Sequence, residues 1–210
     1  PKNDGVIQCS LLEYTTTLDD GDDGYYTNGI DMLNAHNWII RDNIIKNIKH
    51  NPGITSQLAG PAILAWHDCS GTIVERNILL ENDFGISFGN AGESDLSHSG
   101  GIIRNNFISG YSQSDFGIGL IKAENAKVLN NTIYSPGGWA YSIEARYSES
   151  NGNLIQNNLT DESFWLDRDG AHSNTSTTNL TNAQQSWFTD TSTGDLHLVD
   201  GSLTSVIDQG

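Results

Sequence analysis

The sequence predicts an all-β protein: a right-handed parallel β-helix of about five to six coils, with an irregular C-terminal cap. Three observations lead there. One phrase recurs five times, as Ile39-Ile40-Arg41-Asp42-Asn43, Ile73-Val74-Glu75-Arg76-Asn77, Ile102-Ile103-Arg104-Asn105-Asn106, Val128-Leu129-Asn130-Asn131 and Leu154-Ile155-Gln156-Asn157-Asn158. Its last asparagines lie 34, 29, 25 and 27 residues apart, a spacing typical of units that stack on their neighbours. A second landmark precedes each phrase: Gly29-Ile30-Asp31-Met32, Ala62-Ile63-Leu64-Ala65, Gly85-Ile86-Ser87-Phe88, Gly117-Ile118-Gly119-Leu120 and Ser142-Ile143-Glu144-Ala145. All these runs are short and alternate with period two, which is strand patterning and too brief for helix.

Taken in order, residues 6–14 read as the remains of an earlier coil, followed by an acidic loop that ends at Tyr26. A stack beginning this abruptly presents open strand edges. The expectation is that a missing N-terminal segment or a second chain covers that end. Residues 28–160 carry the five recurring units, so residues 1–160 are assigned to the coils. Loops between them at 49–58, 90–99, 109–115 and 135–139 are rich in Gly, Ser, Asn and Asp and shape one face of the array. Beyond Asp161 the pattern decays, and residues 161–210 are assigned to the C-terminal cap and tail. Asn43, Asn77, Asn106, Asn131 and Asn158 are expected to be structural. An Asn side chain suits a corner because it bonds to backbone and tolerates left-handed conformation, and stacked amides satisfy one another as a ladder.

The formal net charge is −16. Such a surface repels a nucleic acid backbone or an anionic membrane, so neither is an expected partner. No apolar run is long enough to span a bilayer. Asp20, Asp22 and Asp23 offer the oxygen ligands that calcium prefers, making Ca2+ the one cofactor considered. A solvated acidic loop is the alternative, since EF-hand spacing is missing. Cys9 and Cys69 are expected as reduced, buried thiols, with a single bridge between them as the alternative. Phosphate-loop, zinc-protease, Cys-x-x-Cys and nucleophile-elbow patterns are not found in the sequence, which disfavours the chemistries that need them.

Alternation also sorts the upstream strands. With Ile30, Ile63, Ile86, Ile118 and Ile143 pointing inward, one outward row is Asp31, Leu64, Ser87, Gly119, Glu144; the next is Leu33, Trp66, Gly89, Ile121, Arg146. Small residues at Ser87, Gly89 and Gly119 predict a shallow saddle between taller ends. Glu144 and Arg146 stand two residues apart on one strand, within reach of a salt bridge. Arg146 suits a sugar carboxylate through its bidentate fork, and His67 suits proton abstraction near neutrality. Arg146, Glu144 and His67 are therefore the catalytic candidates, against the alternative of a surface salt bridge and a corner histidine. Trp66, Asp31, Ser87, Gly119, Lys122 and Trp139 are the substrate-binding candidates, the tryptophans as sugar-stacking faces. Asp31 and Glu144 share a row but lie several coils apart, too far for a glycosidase pair, which needs about 5 to 9.5 Å.

The recurring Ile/Val-x-x-Asn-Asn pattern resembles the right-handed parallel β-helix superfamily that includes pectate lyases, alginate lyases and mannuronan epimerases. The stretches Tyr26-Thr27-Asn28-Gly29-Ile30-Asp31, Trp38-Ile39-Ile40-Arg41-Asp42-Asn43 and Gly101-Ile102-Ile103-Arg104-Asn105-Asn106 resemble a group of largely uncharacterised bacterial β-helix proteins within it. The tail Gly194-Asp195-Leu196-His197-Leu198 to Asp208-Gln209-Gly210 resembles that group's usual ending. The resemblance implies a bacterial, secreted or cell-surface protein whose partner is a polysaccharide. The aspartate cluster that holds calcium in pectate-cleaving members does not map here, nor does the Asp-Pro-His motif of the epimerases. Two functions are expected on this basis: a lyase acting on a uronate-containing polymer, or a non-catalytic polysaccharide-binding or surface-structural module.

Overall fold

The computed structural model describes residues 2–15, 27–50, 58–199 and 206. Each full coil crosses four strands in a fixed order. Ile30–Leu33, Ala35–His36, Ile39–Arg41 and Ile44–Lys46 make the first such round, and the chain then rises into Pro61–Trp66 to begin the next. Equivalent strands pair in parallel from coil to coil. They form a long-strand sheet of six, a corner sheet of five and two flanking sheets of seven and six. The result is a parallel β-solenoid of about five turns with almost no helix, consistent with a right-handed β-helix.

Alternation decides which side chains fill the tube. The middle residue of each three-residue strand points inward, giving the rows Ile40, Val74, Ile103, Val128, Ile155 and Ile45, Leu79, Ile108, Ile133. The long strands contribute Ile63, Ile86, Ile118 and Ile143, each fully buried. Full burial of one such side chain stabilises by roughly 1.5–3 kcal/mol, and β-branched residues fit the pleated wall. The register agrees with the outward rows read from the sequence: Asp31 aligns with Leu64, Leu64 with Ser87, Ser87 with Gly119, and Gly119 with Glu144.

The ladder asparagines line one corner. The Nδ2 groups of Asn43, Asn77, Asn106 and Asn131 each donate to Oδ1 of the next asparagine at 3.0 Å, and each also donates to a carbonyl of the preceding coil. The backbone N–H donates to that same Oδ1, so each buried amide is satisfied on every side. The left-handed bend, however, falls one residue earlier than the corner chemistry of asparagine suggests. Asp42, Arg76, Asn105, Asn130 and Asn157 carry φ between 53 and 56°, while the ladder residue bonds. Bending and bonding are split between neighbours.

Parallel pairing does not stop at residue 160, where the apolar phrase fades. Phe164–Arg168 pairs with Tyr141–Arg146, Thr175–Thr177 pairs with Leu154–Gln156, and Asn179 joins the ladder as a sixth member 2.9 Å from Asn158. The tail then folds back as an antiparallel hairpin, Phe188–Asp190 against Asp195–Leu198. It lies on the flank rather than over the end. Phe188 and Leu196 cluster with Tyr134, Phe107 and Leu159, whose outward side chains would otherwise be wet. Gly194, at φ 76°, sits so close to this flank that a Cβ there would meet Ile78 at 2.8 Å.

Cys9 and Cys69 are both free. Cys69 is buried with Sγ between Met32 O and Ala35 N. Cys9 is exposed, contrary to expectation, because its residue occupies a left-handed corner at φ 53°.

Candidate functional site

The outward face of the long-strand sheet holds an open groove of about 420 Å³. Leu58, Ala59 and Gly60 form one wall, Phe84 and Phe116 lie along the floor, and Asp115, Glu144, Arg146 and Arg168 gather at one end. Asp83 secures the wall. Fully buried, it accepts from His50 N at 2.7 Å, His50 Nδ1 at 2.9 Å and Ala59 N at 2.6 Å, and the Tyr111 hydroxyl donates to its other oxygen. Burial together with that carboxylate pushes the Tyr111 hydroxyl well above the ordinary phenol range.

The floor is not the bare saddle that Ser87 and Gly119 suggest. Phe84 and Phe116, two positions ahead of the inward isoleucines, pack with their rings tilted by 50° and 4.8 Å between centroids. The Phe116 ring lies over Gly119, where an added Cβ would come within 2.8 Å of it. Ser87 is 1% exposed, its hydroxyl donating to Gly89 O. Strict alternation would turn these phenylalanines inward; instead Gly85 and Gly117 face the core, where an added Cβ would meet Ile108 and Ile133, and the phenylalanines line the groove.

At the polar end Glu144 is 4% exposed and accepts from Arg168 Nη1 at 2.5 Å. Arg146 does not pair with Glu144: its Nε donates to Asp169 at 2.5 Å and its guanidinium lies over the Tyr147 ring. Each group thus takes a partner from the next coil. Burial raises the Glu144 carboxyl above its ordinary range, opposed by the Arg168 contact. Asp115 stands at the rim with its side chain reaching solvent. The protein around its carboxyl still raises it, while Arg168 and Arg146 pull it down.

The other candidates sit elsewhere. His67 lies three coil steps from Arg146, about 14 Å by strand spacing, and its Nδ1 pairs with Glu93 at 3.0 Å. The expected convergence of His67 with Glu144 and Arg146 does not occur, because the register puts them at opposite ends of the sheet. Trp66 donates to Asp31 Oδ1 at 2.8 Å, and both stand four coil steps or fewer from Glu144 on the far side of the groove. Lys122 is 8% exposed; its ammonium donates to the Glu93 carbonyl and covers the Tyr147 ring, so it is pinned under a loop and cannot reach a ligand in the groove. Trp139, expected as a stacking face, is 4% exposed and belongs to the core, since its loop folds in against Gly110 and Ser135. Asp20, Asp22 and Asp23 lie outside the described residues. Among the described residues, no group of three or more His, Cys, Asp or Glu is placed to hold a metal ion.

Arg168, Asp169 and the two phenylalanines are not picked out by the sequence pattern, whereas Asp115, bordering the fourth long strand, reads there as a solvated surface group. One signal was present: Asn179 follows Asn158 by 21 residues, which marks a further coil and puts Arg168 on a strand beside Glu144. Compared with protein-family models, curated proteins and solved structures, the chain matches none.

Proposed function

We propose that this chain is a secreted or cell-surface bacterial protein, related to the pectate-lyase-like β-helices, that binds a polysaccharide in the groove of its long-strand sheet. One observation carries the proposal. Aromatic rings and an arginine–carboxylate cluster share a single open groove, an apolar floor beside fixed donors and acceptors. Sugar rings present apolar C–H faces and hydroxyl edges, and this floor and this cluster complement both. The groove runs across successive coils, so neighbouring sugars of one chain meet Phe84, Phe116 and the Glu144–Arg168 pair in turn.

A catalytic version has a specific observation on its side. Glu144, raised by burial, and Asp115, raised by the protein around it although its side chain reaches solvent, stand beside two guanidinium groups in a groove, a pattern enriched at acid–base sites. In that version Glu144 or Asp115 replaces His67 as proton acceptor, and Arg146 or Arg168 faces the substrate.

A glycan array read with and without calcium tests the binding proposal, and an ultraviolet assay for unsaturated sugar ends tests cleavage. Binding to a defined polysaccharide class supports the first. Silence across the array under both conditions removes it, and flat absorbance on every uronate polymer removes the lyase version alone.

A further inference from the structure

We propose that the groove selects uncharged sugar polymers and turns away uronates. The inference rests on the polysaccharide-binding reading and names its ligand class. Its basis is how the charges at the polar end are already spent. Arg168 is bound to Glu144 and Arg146 to Asp169, both at 2.5 Å, so neither guanidinium stands ready as an uncompensated cation. Asp115 completes the cluster at the rim, giving three carboxyl groups against two guanidinium groups.

Glu144 cannot step aside. Its side chain is 5% exposed, and a ligand carboxylate that drew Arg168 away would leave it buried and unpaired, the costly state for an ionised group. An arriving uronate therefore meets a negative cluster on a chain whose formal charge is −16. A neutral sugar meets no such penalty. Its hydroxyls accept from guanidinium N–H groups not engaged by carboxylates and donate to carboxylate lone pairs, leaving both ion pairs intact. Phe84 and Phe116 supply the apolar contact, which does not depend on ligand charge.

Calorimetric titration of the full chain with size-matched neutral oligosaccharides (from glucan, xylan and mannan) and uronate oligosaccharides (from alginate and polygalacturonate) at pH 7 and low salt tests this. At least one neutral series is expected to bind about tenfold or more tightly than either uronate series. Removing one negative charge by Glu144→Gln is expected to narrow that gap. Asp169→Asn, on a side chain 44% exposed, repeats the test should the buried substitution impair folding. Uronates binding as tightly as neutral sugars, or a gap unmoved in a folded Asp169→Asn, overturns the inference and leaves the polysaccharide reading standing. Binding by neither class overturns both.

Discussion

Glu144 and Arg168 join two successive coils through a contact of 2.5 Å, and a register shift in the outer strand makes it possible. Glu144 aligns with Trp165, yet Arg146 aligns with Arg168, so the outer strand carries one extra residue between the two positions. Such an irregularity re-aims side chains. Here it turns Arg168 back over Glu144 while its guanidinium rests 5.0 Å from the Trp165 ring.

Breaking this pair is expected to be costly. Arg168→Met leaves Glu144 buried without its cation, and the loss of stability is expected at about 3 kcal/mol. Pairing it with Glu144→Leu is expected to recover most of the loss, because the charge left behind is what destabilises. Urea denaturation of the two variants measures both effects. A single substitution costing under about 1 kcal/mol would show the pair to be a surface contact.

The asparagine ladder predicts a graded series. Asn106→Ala removes an amide bonded to Asn77, Asn131 and Val74, leaving the buried Asn77 donors unpaired on one side and taking a donor from Val74 O and Asn131 Oδ1. A loss of roughly 2–4 kcal/mol is expected. Asn179→Ala, at the last rung, is expected to cost about half as much or less, since Asn179 is only partly buried. Equal losses at the two rungs in denaturant titrations would contradict this gradient.

His98 predicts acid sensitivity. It is fully buried, stacked on Phe88 at 3.9 Å with Nε2 on the Thr72 hydroxyl, and burial pushes its imidazole down to about 3, with His36 adding to the effect. The unfolded chain takes up a proton near pH 6.5 and the folded chain does not. The contribution is therefore full above pH 6.5 and is lost as pH falls from there toward 3, with a slope approaching about 1.4 kcal/mol per unit. Glu144 and Asp161, raised by burial, contribute with the opposite sign. The difference between wild type and His98→Leu isolates the histidine. Parallel stability curves for the two between pH 7 and 5 would count against it.

The scaffold was legible because each inward isoleucine and each ladder asparagine repeats at a fixed place in the coil, and strand period converts directly into facing. That is why Ser87, Gly119 and Glu144 fell in one row. The site was less legible. Arg168 depends on an extra residue in one strand, and Phe116 turns outward where alternation is interrupted at Gly117, neither of which a period of two can express. The last coil was missed because Thr175, Ser176 and Thr177 form its strand without apolar residues, all three being exposed. The tail is legible only as strand rhythm: Phe188 and Leu196 follow it but cover a flank that the fold defines.

A polysaccharide bound as proposed lies along the floor of the groove. Titration of the strongest array ligand against wild type, Phe84→Ala and His67→Ala, each checked for folding by circular dichroism, measures this most directly. Phe84 lies on the groove floor and His67 lies outside it. A loss of about tenfold in affinity for Phe84→Ala, with His67→Ala unchanged, is the predicted result. Undiminished binding by Phe84→Ala together with loss in His67→Ala would contradict it.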